Sequence, residues 1–273
     1  MLYEASLSLP LSQNVKAEIL RCTFANLGIP PENITETIEK GHLRFSFFVS
    51  RRSLIPKSAL LSVKCLKAPD WQTKWKKYFV PFNLTRRLRL VPFGRRDKKT
   101  DKKRKRIYID TAVAFGTGQH ATTQLVAQFI EDKRGKFKTF LDIGTGSGIL
   151  SVVAQKSGAR KILSIDTDKD AVVTAKRNFK LNNVTFGRVQ KCGIAQFQPQ
   201  DKFEFVAANL ITDELIKNRK AIISCVKPGY YLAVSGISLD NLRRFRSAFS
   251  YHHLKLLKLK KKSGWAGLLY EKR

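Results

Sequence analysis

From Lys138 onward the sequence predicts an α/β fold, a doubly wound and mostly parallel sheet of seven strands, with a small α+β domain ahead of it. Two observations carry this. Short apolar and β-branched runs alternate with stretches whose apolar residues recur at helical spacing, a rhythm that implies right-handed crossovers. The first of these strands, Thr139 to Ile143, also runs directly into Gly144-Thr145-Gly146-Ser147-Gly148 and then a helix. Glycines in such a corner permit a tight turn and let the backbone approach a ligand closely. The composition, 43% hydrophobic and 10% aromatic in 273 residues, is that of a globular chain rather than a disordered one.

Leu2 to Leu9 alternates as a strand. Leu11 to Leu27 places Val15, Ile19, Leu20, Phe24 and Leu27 at helical spacing and closes at Gly28 before Pro30 and Pro31. Ile34 to Glu39 and Leu43 to Val49 read as strands turning at Gly41 and His42, and Ser53 to Leu61 as a second helix. This βαββα run, with room for one more strand, makes residues 1–66 a small open-faced sandwich. No chemistry is visible in it, so binding is its expected use.

Residues 67–86 read as a connector. Pro69, Trp71, Trp75, Tyr78 and Phe79 are spaced like a helix with one aromatic face, packed on a domain in preference to forming a ligand cage. The third unit, 87–273, opens with strands at Leu88 to Pro92 and Ile107 to Asp110. Between them lies the charge block Arg95 to Arg106. It is expected as a solvated hairpin loop, with an RNA-gripping loop or a nuclear signal as the alternative.

The alternating part then places strands at Thr139 to Ile143, Lys161 to Asp166, Thr185 to Gln190, Phe203 to Asn209, Tyr230 to Ser235, His253 to Lys260 and Trp265 to Glu271. Helices are expected at Gly148 to Ser157, Lys169 to Leu181, Thr212 to Val226 and Leu239 to Phe249. The last two strands lack an intervening helix and should form an antiparallel edge.

Composition bounds the function. No apolar run approaches the ~18 residues of a membrane span, and Met1 to Pro10 reads as a strand and not as a leader, so a cytoplasmic location is expected. Cys22, Cys65, Cys192 and Cys225 lie far apart without metal-ligand spacing, which points to reduced thiols and no metal. The formal charge of +31 fits contact with RNA or a ribosome as well as it fits a solvated basic face.

Ligands of such sheets bind at the C-terminal strand ends, where strand order reverses. A dinucleotide fingerprint wants G-x-G-x-x-G, whereas the glycines here fall at Gly144, Gly146 and Gly148, with Ile149 next. No Gly-Lys-Ser/Thr follows, which excludes a P-loop. Asp142, two residues before the first glycine, would repel a diphosphate but suits a cationic ligand carrying an ammonium or sulfonium. That favours S-adenosylmethionine. Asp166 ends the next strand and can accept both ribose hydroxyls, its alternative being a helix-capping acid. Asn209 ends the fourth strand and offers an acceptor to an amino group and a donor to the cofactor, with helix capping again the alternative. Ala114 to Thr123, with Gly116, Gly118, His120, Thr122 and Thr123 ahead of an amphipathic helix, could fold over a bound ligand.

Together these segments resemble the PrmA family, the methyltransferases of large-subunit ribosomal protein eleven. The resemblance rests on Phe115-Gly116-Thr117-Gly118-Gln119-His120 with Thr122-Thr123, on Leu141 to Leu150, on Ser164 to Asp168, on Ala208 to Leu210 and on Ser235-Gly236-Ile237. It extends upstream through Trp71 to Phe79, similar to the family's linker. It implies a class I, Rossmann-like methyltransferase domain behind a ferredoxin-like domain that recognises a protein substrate. It also implies cofactor contacts at Thr123, Gly144, Asp166 and Asn209, to which the glycine corner and the Ala114 to Thr123 segment add Asp142, Gly146, Phe115 and Gly116. Asn209 is the candidate catalytic residue. The implied products are a methylated α-amino group and methylated lysines of a ribosomal protein, made by a monomer. The chain departs from the family in Ile109-Asp110-Thr111-Ala112, in the absence of proline after Asn209, and in the basic block before Arg106. An RNA methyltransferase using the same cofactor domain is the alternative, motivated by the charge; no RNP-like aromatic string favours it. A basic ribosome-associated binding protein with a vestigial site is the third reading.

Overall fold

The computed structural model describes residues 2–10, 34–39, 42–49, 62–66, 80–95, 97, 104–110 and 116–273. They fall into two compact units, Met1–Phe79 and Val80–Arg273. The first carries strands β1 (Leu2–Pro10), β2 (Ile34–Glu39), β3 (His42–Val49) and β4 (Ser62–Leu66) in one antiparallel sheet of order β2-β3-β1-β4. β3 lies antiparallel to both β1 and β2, so β1 and β2 run parallel one strand apart, as a crossover through residues 11–33 requires. β4 is the further strand for which the sequence left room. The helices expected at 11–27 and 53–61, and the aromatic linker helix up to Phe79, lie outside the described residues.

The second unit begins at Val80, so residues 80–86, read from the sequence as the end of the connector, belong to it. They form a hairpin that the sequence reading missed: β5 (Phe82–Asn83) turns back through residues 84–87 to pair antiparallel with β6 (Leu88–Pro92). β7 (Lys105–Ile109) completes a three-stranded sheet of order β5-β6-β7.

The pairing of β6 with β7 is parallel, Leu88 facing Lys105 and Pro92 facing Ile109. The basic block is therefore no hairpin loop. It is a crossover, and residues 93–104 supply the dozen or so residues that a parallel return needs. Asp97, whose side chain is 4% exposed, bridges the two strands, accepting from Arg89 Nε at 2.9 Å and from Arg106 Nε at 3.2 Å.

The main sheet contains β8 (Thr139–Ile143), β9 (Lys161–Asp166), β10 (Gly187–Lys191), β11 (Phe203–Asn209), β12 (Val226–Ser238), β13 (Leu254–Lys262) and β14 (Trp265–Lys272). Their order is β10-β9-β8-β11-β12-β14-β13, with β14 the antiparallel member. The order reverses between β8 and β11, and this reversal opens a crevice at their C-terminal ends. Helices α1 (Ala121–Asp132), α2 (Ile149–Lys156), α3 (Lys169–Leu181), α4 (Thr212–Lys217), α5 (Arg219–Ser224) and α6 (Leu242–Ala248) pack on the sheet. Alternation along each strand divides two cores. Leu141, Ile143, Val206, Ala208, Leu232, Val234, Leu268 and Tyr270 join Phe245 and Phe249 in one cluster. The intervening Phe140 and Phe205 meet Phe137, their rings 4.9–6.1 Å apart.

The helix expected over 212–226 is broken at Asn218, whose amide donates to the Glu214 carbonyl and carboxylate at 3.0 Å each. A side chain bonded to its own preceding turn competes with the helical ladder.

The exposed edge of β7 is sealed by side chains. Asn182 accepts from the Tyr108 amide at 2.8 Å and donates to the Tyr108 carbonyl at 2.6 Å; Asn178 does the same for Asp110 at 2.8 and 3.0 Å. The match is geometric, since four residues of helix rise ~6 Å and two of strand ~6.7 Å.

Candidate active site

The glycine corner follows β8. Gly144, Gly146 and Gly148 all take positive φ, between 52° and 79°, the region that side chains avoid. The amides of Gly144 and Thr145 both bond the Ile165 carbonyl of β9, at 2.9 and 3.1 Å, which ties the corner to the neighbouring strand end. At φ 68° a side chain on Gly144 would be strained, and a methyl group there would also press on the tip of the Leu210 side chain.

Asp166 sits beside this corner. One carboxylate oxygen accepts from the Gly146 amide at 2.9 Å and the other from the Asp168 amide at 3.0 Å. The helix-capping alternative falls to its neighbour, because Asp168 caps α3 through the Asp170 amide. Asp166 lines a cavity of about 670 Å³ with Gly144 and Gly146 from the corner, Cys192 to Gln196 after β10, Asn209 at the end of β11, and Leu210 and Glu214 beyond it.

Asp142 is placed differently. It is 1% exposed, is not among the cavity's lining residues, and points under the corner. Its Oδ2 accepts from Thr145 at 2.7 Å and from Ser151 at 2.8 Å, while Oδ1 has no partner. Burial pushes the carboxyl up to about 6, helped by the charge of Asp166 and opposed by the Thr145 and Ser151 hydroxyls. A buried, half-satisfied carboxylate favours a positive charge nearby.

Asn209 lines the cavity at the end of β11, and its Nδ2 donates to Thr123 Oγ1 at 3.4 Å. The structure therefore joins the first turn of α1 to the end of the fourth strand, a contact across 86 positions. Asn209 does not cap α4; that position belongs to Ile211. His120 bonds Thr122 Oγ1 at 2.7 Å and lies edge-on to Trp265, ring centres 5.0 Å apart. Phe115 lies outside the described residues. Gly116, at φ 107°, gives its carbonyl to Ser147 Oγ at 2.7 Å.

Sequence reasoning missed several groups that shape the site. Asn178, fully buried, donates to the Ser147 carbonyl at 2.7 Å as well as pairing with Asp110. Asp110 and Gly116 are thus both tied to Ser147 of the glycine corner, Asp110 through Asn178 and Gly116 directly. Gly236 has φ 93°, and a methyl group there would run into the Leu210 carbonyl, so the Asn209-Leu210 turn depends on it. Residues 192–196 carried one usable signal, their place after a parallel strand that ends at the same crevice.

The site fits a cationic nucleoside. The corner offers backbone without side chains, Asp166 offers acceptors, and the unpartnered oxygen of Asp142 supplies negative potential beneath.

The model of the family described as "Ribosomal protein L11 methyltransferase (PrmA)" matches residues 45–273. The chain is similar to the ribosomal protein L11 methyltransferase of Dictyoglomus thermophilum, 35% identical over 202 residues covering 74% of this chain and 66% of that protein. It is equally similar to that of Lactobacillus gasseri, 35% identical over 210 residues, 77% of this chain and 66% of the relative. These matches span just under two thirds of the relatives' lengths. Among solved structures, the ribosomal protein L11 methylase from Lactobacillus delbrueckii subsp. bulgaricus aligns with a TM-score of 0.66 and 29% identity, covering 71% of this chain and 99% of that one.

Proposed function

The chain belongs to the ribosomal protein L11 methyltransferase family, and from that premise we propose that it is a cytoplasmic, monomeric S-adenosylmethionine-dependent N-methyltransferase. Its acceptors are an α-amino group and lysine side chains of a large-subunit ribosomal protein. One observation carries this reading: the Asp166 carboxylate, fixed by two backbone amides, shares a cavity with Asn209, and Asn209 is bonded to Thr123.

In this reading Asp166 accepts the ribose hydroxyls with the lone pairs its amide donors leave free. Gly144 and Gly146 give the backbone surface on which the cofactor lies, and Asp142 acts beneath them as a positioning residue. Bound S-adenosylmethionine supplies a sulfonium methyl group open to attack by a neutral nitrogen. Asn209 accepts a hydrogen bond from the substrate amine through Oδ1, with Thr123 holding its amide end. Gly116 and its neighbours line the approach.

Rate comes mainly from holding nitrogen, methyl and sulfur in line. The amine must be neutral. At pH 7 deprotonation costs about 4–5 kcal/mol for lysine and about 1 kcal/mol for an α-amino group. With no strong base among the described residues that line the cavity, the N-terminal amine is handled first, and lysine depends on desolvation in the pocket. The test incubates the full chain with radiolabelled S-adenosylmethionine and ribosomal subunits and then separates protein from RNA. Label in a large-subunit protein is expected. Label in RNA alone would overturn the reading.

A further inference from the structure

The edge strand β13 is laced to α1 by lysines. Lys258 Nζ donates to Asp132 Oδ2 at 2.9 Å, Lys260 Nζ to Gln128 Oε1 at 3.1 Å, and Lys262 Nζ to Gln124 Oε1. The ladder is commensurate because alternate strand residues advance ~6.7 Å and every fourth helical residue ~6 Å. Its rungs differ in charge. Asp132 neutralises one ammonium, with Lys260 also within 3.5 Å of it. A glutamine oxygen satisfies a donor but cancels no charge.

These rungs line a cleft of about 550 Å³ together with Arg86 and Arg104. Among the described residues of the lining, five cations thus stand with two carboxylates, Asp132 and Glu131. Glu131 is itself engaged, accepting from Thr85 Oγ1 at 2.5 Å and the Arg87 amide at 3.0 Å. The cleft therefore holds a local surplus of positive charge.

The described lining has the chemistry of a phosphate site. Among the described residues Leu84, 2% exposed, is the single apolar one and none is aromatic. A protein partner is normally anchored by apolar or aromatic side chains at the centre of its interface, and bases are held by stacking. Ammonium, guanidinium and amide donors without either match phosphate oxygens. The cleft starts at Gln124, the residue after Thr123, and follows α1 to Asp132.

We propose that this cleft binds the phosphate backbone of RNA, holding it alongside the helix that carries Thr123. The choice of RNA among polyanions rests on the ribosomal reading above; the phosphate chemistry does not. Contacts of this kind are insensitive to base sequence and steeply dependent on salt.

The test measures binding of a short fluorescein-labelled RNA of mixed sequence to the full chain by anisotropy across a salt series, with no methyl donor present. The variant K258Q/K262Q/R86Q is expected to weaken binding more than tenfold at low salt and to lower the log–log salt slope by about 2, given roughly 0.7 per phosphate contact. The control K176Q/K180Q/R188Q removes the same charge elsewhere and should change the slope little. K262Q alone gives a milder version, and an unchanged thermal melt for each variant certifies its fold. Equal losses from both triple variants would mean a diffuse field and overturn the proposal. So would undetectable RNA binding by the wild type, or competition by polyglutamate as effective as by unlabelled RNA. Methyl transfer is read separately, so failure of the enzymatic reading leaves this result intact.

Discussion

Asn178 donates from Nδ2 to the carbonyl of Ser147 at 2.7 Å, and Ser147 Oγ in turn donates to the carbonyl of Gly116 at the same distance. Through these two side chains α3 holds both the glycine corner and the segment that faces it. An asparagine on an amphipathic helix thus acts as a structural bolt of the candidate active site.

Replacing Asn178 tests that bolt. N178A removes buried partners from Ser147 and Asp110 and should destabilise the protein by about 2–4 kcal/mol, since each orphaned buried group costs roughly 1–3. N178D should be worse than its size suggests, because a carboxylate would face the two carbonyls that the amide now serves. Urea denaturation checks both. A midpoint within error of wild type for N178A would refute the assignment.

D166A should bind the cofactor at least tenfold more weakly, because charge-assisted hydrogen bonds contribute about 1.5–3 kcal/mol. Calorimetry with S-adenosylhomocysteine on a folded variant measures this. Wild-type affinity in D166A would show that Asp166 only braces the corner.

Gly236 and Gly229 form a matched pair. Both have positive φ, 93° and 81°, but a methyl group on Gly236 meets the Leu210 carbonyl while one on Gly229 meets nothing within 4 Å. G229A should therefore cost about 1–2 kcal/mol, the conformational term alone. G236A should cost more and also impair methyl transfer, because the Asn209-Leu210 turn must move. Similar losses of stability and activity in the two variants would contradict the close approach.

The raised pKa of Asp142 makes a pH prediction with a definite sign. Its carboxyl is pushed up to about 6 in the fold, against about 3.9 in an unfolded chain. Ionisation therefore costs the folded state. The cost is absent below about pH 4 and complete above about pH 6, and it amounts to about 3 kcal/mol at 1.36 per unit. Stability of the wild type relative to D142N should accordingly fall by about that amount as the pH rises from 4 to 7. A difference independent of pH would show that the carboxyl titrates normally.

Much of this was legible in the residues. Thr139–Ile143, Lys161–Asp166 and Phe203–Asn209 stand as strands with the bounds that alternation and flanking glycines or acids suggested. Gly144, Asp166 and Asn209 are therefore placed at strand ends by the sequence pattern alone. Strand direction was not legible. The spacing of Leu88–Pro92 and Lys105–Ile109 is compatible with either sense, and a charge-rich connection suggested a hairpin where the structure has a parallel crossover. The break at Asn218 was equally hidden, because the apolar period continues through Ile222 and Ile223.

The sequence by itself determined the parallel α/β architecture, the glycine corner and the acids around it, since these follow from local periodicity and from what glycine and carboxylate chemistry permit. Tertiary structure alone decided how the groups are used. It turned Asp142 beneath the corner, brought Thr123 to Asn209, and buried Asn178 and Asn182 against the edge of β7. The physical reason is that a polar side chain's role depends on which unpaired backbone or charge the packed fold brings to it, and for Asn209 that partner lies 86 positions away along the chain.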